Sequence, residues 1–145
     1  LYFAKQQKRP AFDFILVDAC HEYSQVCRDL QGCASILQPG GLVFCHDLVP
    51  PDREHLSPNY CWDAYRVLAW CLQEKIMCWV TREDFGLVAF PEPSAVTPPP
   101  DFQSSWEYFN HLLDQSSDVY ETADFILEIH RYVALTKTNH PSSTE

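Results

Sequence analysis

Four side chains, at two places in the sequence, could act on one substrate. Asp18 and His21 follow the apolar run Phe14-Ile15-Leu16-Val17, and His46 and Asp47 follow the run from Leu42 to Cys45. Two carboxylates with imidazoles beside them can hold a hard divalent cation such as Mg²⁺, or move protons as general acid and base. A plainer role is open to the same residues. Asp18 or Asp47 at a strand end can accept backbone N–H groups and cap the following turn. The chemical reading requires the two runs to lie side by side, because ligands of open α/β sheets bind beyond the carboxyl ends of the strands.

The elements that would bring them together are legible. The run FDFILVDA, residues 12 to 19, is continuously apolar rather than alternating, as in a strand covered on both faces. Val26, Leu30, Cys33, Ile36 and Leu37 follow at helical spacing, and Gln38-Pro39-Gly40-Gly41 stops that helix. Leu42 to Cys45 then reads as a second buried strand, parallel to the first. Leu48 to Asn59 reads as a loop, with Ser57-Pro58 starting a helix that runs from about residue 59 to 74. Ile76–Thr81 and Phe85–Phe90 read as two strands joined through Arg82-Glu83-Asp84, an antiparallel hairpin. Five prolines between 91 and 100 mark a stiff linker, and Phe102, Trp106, Phe109 and Leu113 a short helix. Asp118 and Glu121 resemble a capping box for a last helix. The expected organisation is an α/β unit over 1–90, a linker over 91–101, a helical extension over 102–138 and a flexible tail over 139–145.

The pair FDFILVDACHEY and LQPGGLVFCHDL, separated by a helix, resembles the later half of class I S-adenosylmethionine-dependent methyltransferases, most closely the small-molecule O-methyltransferases. In those enzymes the fourth strand ends in Asp-x-x-His-x-Tyr, here Asp18, His21 and Tyr23. The fifth follows a Pro-Gly-Gly turn and ends in an acidic or His residue before Asp, here His46 and Asp47. The resemblance spans about residues 11 to 90. It implies a partial Rossmann-like methyltransferase sheet of later strands, parallel with an antiparallel terminal hairpin. It implies methyl transfer to a hydroxyl, S-adenosylmethionine contacted by Asp18 and Ala19, and His21 as general base. Asp18, Asp47 and His46 become the expected ligands of a divalent cation, Mg²⁺ among them. Ala19 stands where those enzymes usually carry Gly. The four glycines, Gly32, Gly40, Gly41 and Gly86, include no Gly-x-Gly turn. The cofactor-binding half is therefore expected outside this chain, which starts with Leu rather than Met and reads as a fragment. The first strand is then expected to present an open edge, to that half or to a second copy.

Composition narrows the classes further. The 145 residues carry ten Lys and Arg against twenty Asp and Glu, a net charge of −10. Such a surface repels phosphate backbones and anionic lipid, so neither nucleic acid nor membrane is an expected partner, and a small-molecule substrate is. With 46% hydrophobic and 14% aromatic residues, a packed core is expected rather than disorder. No run is long enough to span a bilayer. Seven cysteines include no Cys-x-x-Cys pair, which argues against structural zinc and for reduced, buried thiols in a cytoplasmic setting. Trp62, Trp70, Trp79 and Trp106 are expected in the core and His111, His130 and His140 on the surface, while His55 could line a substrate pocket. Two rival functions fit the same sequence: a degenerate, non-catalytic interaction domain, and a metal-dependent hydrolase on a related sheet. The adjacent letters His46-Asp47 also resemble a phosphohydrolase signature, but that signature belongs on helices.

Overall fold

A computed structural model describes residues 12–139. It is α/β, with a five-stranded mixed sheet ordered β1-β2-β4-β3-β5. Strand β1 (Phe12–Val17) leads to helix α1 (Tyr23–Ala34) and strand β2 (Leu37–Cys45). Helix α2 (Tyr65–Glu74) precedes the hairpin β3 (Trp79–Thr81) and β4 (Leu87–Phe90). Helix α3 (Trp106–Gln115), strand β5 (Val119–Tyr120) and helix α4 (Thr122–Asn139) complete the chain. β1 and β2 are parallel neighbours, with Ile15 opposite Val43 and Val17 opposite Cys45. β4 joins β2 and β3 antiparallel, and β5 adds parallel to β3. This is a mixed sheet of the kind a partial Rossmann-like methyltransferase fold would leave.

Alternation along the strands assigns the two faces. Ile15, Val17, Val43 and Cys45 pack with Val26, Leu30 and Cys33 of α1 and Val67 and Leu68 of α2. The opposite face carries Phe14, Leu16, Phe44, Ala89 and Trp79, which the register places in one row set. Helix α4 lies over β2 and β3 on that face: Thr136 meets Gly40, and the Tyr132 ring lies 5.2 Å from Trp79. Phe14 and Leu16 extend past it, 52% and 64% exposed.

Several expected boundaries move. Gln38 to Gly41 is not a free turn but part of β2, as a break in the ladder: Phe12 pairs with Leu37, yet Phe14 pairs with Leu42. Gly40, at φ +77°, makes that bulge possible, and a Cβ on Gly41 would meet the Asp13 carbonyl at 2.7 Å. The helix expected from residue 59 begins at Tyr65, because Trp62 turns left-handed at φ +46°. Asp63 instead accepts the Tyr23 N–H at 2.7 Å, satisfying a donor at the start of α1. Both hairpin strands start later than expected, β3 at Trp79 and β4 at Leu87, the latter because Asp84, Phe85 and Gly86 are all left-handed. The expected capping box at Asp118 and Glu121 is replaced by β5, where the Asp118 carbonyl accepts the Val80 N–H, and α4 starts only at Thr122.

The proline-rich stretch holds a short 3₁₀ turn, Pro93–Ala95, and fully buried Val96. Val96, Phe109 and Leu113 share one core with Val80, Val88 and Phe90. The Tyr23 hydroxyl donates to the Pro99 carbonyl at 2.5 Å, Tyr65 to that of Ser104 at 2.8 Å, and Arg66 to that of Phe102. This stretch is thus strapped across α1 and α2. All four tryptophans are half-buried rather than fully buried. The expectations for residues 1–11, for residues 140–145 of the tail and for His140 lie outside the described residues. Among the described residues no helix is long and apolar enough to cross a membrane.

The cysteines are all free thiols, five of them buried. Burial raises Cys45 and Cys71 well above the ordinary thiol range and pushes Cys78 up to about 12. A thiol that stays protonated is a poor nucleophile. Cys20 is the one exposed thiol, so limited alkylation at pH 8 should label Cys20 before any other. Peptide mass mapping checks this, with the buried thiols reacting only after denaturation.

Candidate functional site

The carboxyl ends of β1 and β2 meet because the two strands are parallel and in register to their last pair, Val17 and Cys45. The ladder continues one step further, with the His46 N–H donating to the Val17 carbonyl at 3.0 Å. Asp47 then turns left-handed at φ +62°, a conformation Asp tolerates better than most residues. Asp18, His46 and Asp47 each offer a ligand atom within 4.8 Å of the others. His46 Nδ1 lies 3.3 Å from Asp47 Oδ2 and 3.8 Å from Asp18 Oδ1. Asp18 is the exposed member, whereas the side chains of Asp47 and His46 are 14% and 22% exposed.

His21 joins the group through Asp47, its Nε2 3.0 Å from Asp47 Oδ2. Its Nδ1 contacts the Tyr60 carbonyl. A carbonyl can only accept, so Nδ1 is the donor there, while Nε2 faces the Asp47 carboxylate. Nε2 is buried and makes no hydrogen bond. The loop after β2 thus fixes the loop after β1 twice, at His21 through Tyr60 and at Tyr23 through Asp63. Ala19, expected beside the cofactor, lies exposed at the end of β1 next to Asp18.

Two further residues, Cys61 and Asp84, border the group without having been singled out for it. The Cys61 thiol donates to Asp47 Oδ1 at 3.9 Å, and burial, then the Asp47 charge, pushes it up to about 12. Without a metal it therefore stays a thiol. Asp84, on the hairpin turn, faces His46 Nε2 at 3.4 Å. Phe85 packs on the His55 ring, which in turn meets Tyr60, with centroids 5.2 and 4.8 Å apart. His55 is anchored by Asp52, whose carboxylate accepts from its Nδ1 at 2.7 Å and from its backbone N–H. Sequence reading assigned Asp84 only to a turn and gave Tyr60 no role. A backbone carbonyl leaves no signal in residue type, and the reach of a hairpin turn depends on sheet order.

Two carboxylates and an imidazole fit a hard divalent cation in donor type and number, leaving positions for water or substrate oxygen. For S-adenosylmethionine the fit is partial. Asp18 and Ala19 offer one wall, and the described residues hold no glycine-rich turn to cradle it. Residues 2–48 match the family model described as a methyltransferase domain. The match ends one residue beyond Asp47 and includes Asp18, Ala19, His21, His46 and Asp47, and it supports a methyltransferase domain over this segment. No curated protein and no solved structure matches the chain. Methyl transfer is the general activity that goes with such a domain, and S-adenosylmethionine is its usual donor.

Proposed function

We propose that this chain is the acceptor-side half of an S-adenosylmethionine-dependent methyltransferase acting on the hydroxyl of a small molecule, assisted by a divalent cation. The carrying observation is that the methyltransferase-domain match covers the two strand ends at which Asp18, His46 and Asp47 converge within 4.8 Å. Asp18, His46 and Asp47 would hold the cation. When bound, it supplies Lewis-acid polarisation of a hydroxyl oxygen and lowers that hydroxyl's pKa.

The chain's own residues supply the proton acceptor. Methyl transfer from a sulfonium is an in-line displacement, and the attacking hydroxyl must lose its proton. His21 would be the proton acceptor, its Nδ1 held by the Tyr60 carbonyl and its Nε2 beside Asp47, whose charge would stabilise the imidazolium that results. Asp18 and Ala19 would border the methyl donor. The rest of its cradle would come from a strand–helix half carrying a glycine-rich turn, seated on the open edge of β1. A non-catalytic interaction domain is the second reading, favoured by the absence of such a cradle among the described residues.

The test is transfer of label from S-[methyl-³H]adenosylmethionine to a panel of hydroxylated small molecules, using the chain together with that half. Label in an acceptor, abolished by EDTA and restored by Mg²⁺, is the expected result. No transfer to any acceptor, with S-adenosylmethionine nevertheless bound, would favour the interaction domain.

A further inference from the structure

Arg66, on α2, keeps only 12% of its side chain exposed. A guanidinium taken out of water is costly unless its donors find acceptors. Nη1 donates to Asp63 Oδ2 at 2.8 Å, and Nη2 donates to the Phe102 carbonyl. Cζ lies 4.2 Å from the centroid of the Tyr23 ring, a cation–π distance. Nε is buried and finds no hydrogen-bond partner among the described residues. Arg66 thus has no partner to spare. If the Phe102 carbonyl leaves, the guanidinium must lose a further bond inside or swing toward water. The swing takes it off Asp63 and off Tyr23.

The three partners belong to three segments. Phe102 is on the proline-rich strap, Asp63 on the turn before α2, and Tyr23 opens α1 two residues behind His21. Asp63 gives its other oxygen to the Tyr23 N–H, at 2.7 Å, and the Tyr23 hydroxyl donates to the Pro99 carbonyl of the strap at 2.5 Å. The bonds close a circuit, from strap to Arg66 to Asp63 to Tyr23 and back to the strap. We infer that Arg66 is a positioning residue that locks residues 18–22, and with them His21, to the strap at residues 96–105, so that the two segments open and close as one unit. The importance of His21 rests on the function proposed above, while the coupling itself does not. The strap lies beyond both the family match, which ends at residue 48, and the stretch that carries the resemblance.

Hydrogen exchange read at single amides of the full chain tests this without any turnover. The Tyr23 N–H reports on the loop, and the Phe102 N–H, which donates to the Pro99 carbonyl at 3.0 Å, reports on the strap. Tyr65→Phe is the strap-side lesion: it deletes the hydroxyl that holds the Ser104 carbonyl and keeps the ring packed on Trp106 and Phe109. One hydrogen bond corresponds to about 3–10-fold in an opening equilibrium, so Phe102 should exchange faster by that factor, and Tyr23 with it. Arg66→Met keeps the stem and removes the fork; it should speed both amides by about 10-fold or more, since bonds to charged groups are the stronger ones. Adding Tyr65→Phe to Arg66→Met should then move Tyr23 by less than about twofold. Arg82→Gln, which breaks the exposed pair with Asp114, should leave both amides within about twofold. A spin label on Cys20, the exposed thiol inside the loop, supplies a signature that a merely stabilising Arg66 would not move. Its mobile component should grow in Tyr65→Phe well below the melting transition. Faster Phe102 exchange in Tyr65→Phe with Tyr23 and the label unchanged overturns the inference. So does a Tyr65→Phe effect on Tyr23 that persists in full beside Arg66→Met, or a Phe102 amide that neither variant moves. Should Arg66→Met fail to fold, Tyr65→Phe against the wild type decides alone. Coupled exchange in a chain that transfers no methyl group, even with its other half, refutes the proposed function and leaves this inference standing.

Discussion

Asp47→Ala in the active assembly should lower cation-dependent methyl transfer by about 100-fold or more. Asp47 is the member through which the whole group connects: its Oδ2 faces both His21 and His46, and its Oδ1 takes the Cys61 thiol. Its loss removes a charged ligand and the partner of the proton-accepting imidazole together. Lewis-acid stabilisation of a reacting oxygen is worth several kcal/mol, and each 1.36 kcal/mol is tenfold in rate, so about 3 kcal/mol gives about 100-fold. The backbone complicates a simple alanine comparison. At φ +62°, an alanine pays about 1–2 kcal/mol that asparagine largely avoids. Asp47→Asn therefore separates the two costs, keeping the turn and removing the charge. Both variants should retain their circular dichroism, the alanine variant melting somewhat lower. Unchanged turnover in both, with EDTA also harmless, would rule out a cation at this site.

How much of this was readable in advance follows from what each signal measures. Continuous apolarity in Phe14 to Val17 and in Leu42 to Cys45 predicts burial on two faces and, with the intervening helix, parallel pairing. The pairing is found, but Phe14 and Leu16 of β1 stay exposed on the face that lacks a covering helix. The convergence of Asp18, His46 and Asp47 was legible from that pairing together with the methyltransferase resemblance, which makes the two strands neighbours. Boundaries were less so, because local backbone geometry decides them. Trp62 sits in an apolar stripe yet turns left-handed, which delays α2 until Tyr65. Asp118 and Glu121 resemble a capping box, but β3 has an edge to offer and takes the intervening Val119 and Tyr120 as β5. A two-residue strand has no periodicity of its own to detect. The proline-rich stretch read as a linker because its composition lacks a pattern. What holds it is the Tyr23, Tyr65 and Arg66 side chains reaching its carbonyls, and carbonyls are invisible to residue type. The nearness of Asp84 to His46 was hidden for a related reason, since His46 lies just past the end of β2 and is reached only through the antiparallel β2–β4 pairing.

The isolated chain should self-associate through β1, and it should bind S-adenosylmethionine no tighter than about 1 mM, roughly −4 kcal/mol. β1 ends the sheet order, and among the described residues no strand pairs with its outer edge. An edge strand offers a row of free N–H and C=O groups to any other strand. The usual defences are missing, since Phe12 to Val17 carries neither lysine nor proline and Asp13 is its one charge. The face that α4 leaves uncovered makes matters worse. Phe12, Phe14 and Leu16 stand 43%, 52% and 64% exposed in a row, a contiguous apolar surface beside an open edge. The net charge of −10 opposes association, but that repulsion is screened over about 8 Å at physiological salt, whereas strand pairing acts at contact. Sedimentation velocity at tens of micromolar, on the order of common working concentrations for such chains, should therefore show species larger than the monomer. Phe14→Lys with Leu16→Lys puts two cations on that face and should return the monomer without unfolding it, because neither side chain belongs to the core. A half-domain bearing the glycine-rich turn should have the same effect by occupying the edge, and cofactor affinity should then rise into the micromolar range, roughly −8 kcal/mol. A monodisperse wild-type monomer that binds S-adenosylmethionine at micromolar concentration by itself would show that the open edge is not where the rest of the site belongs.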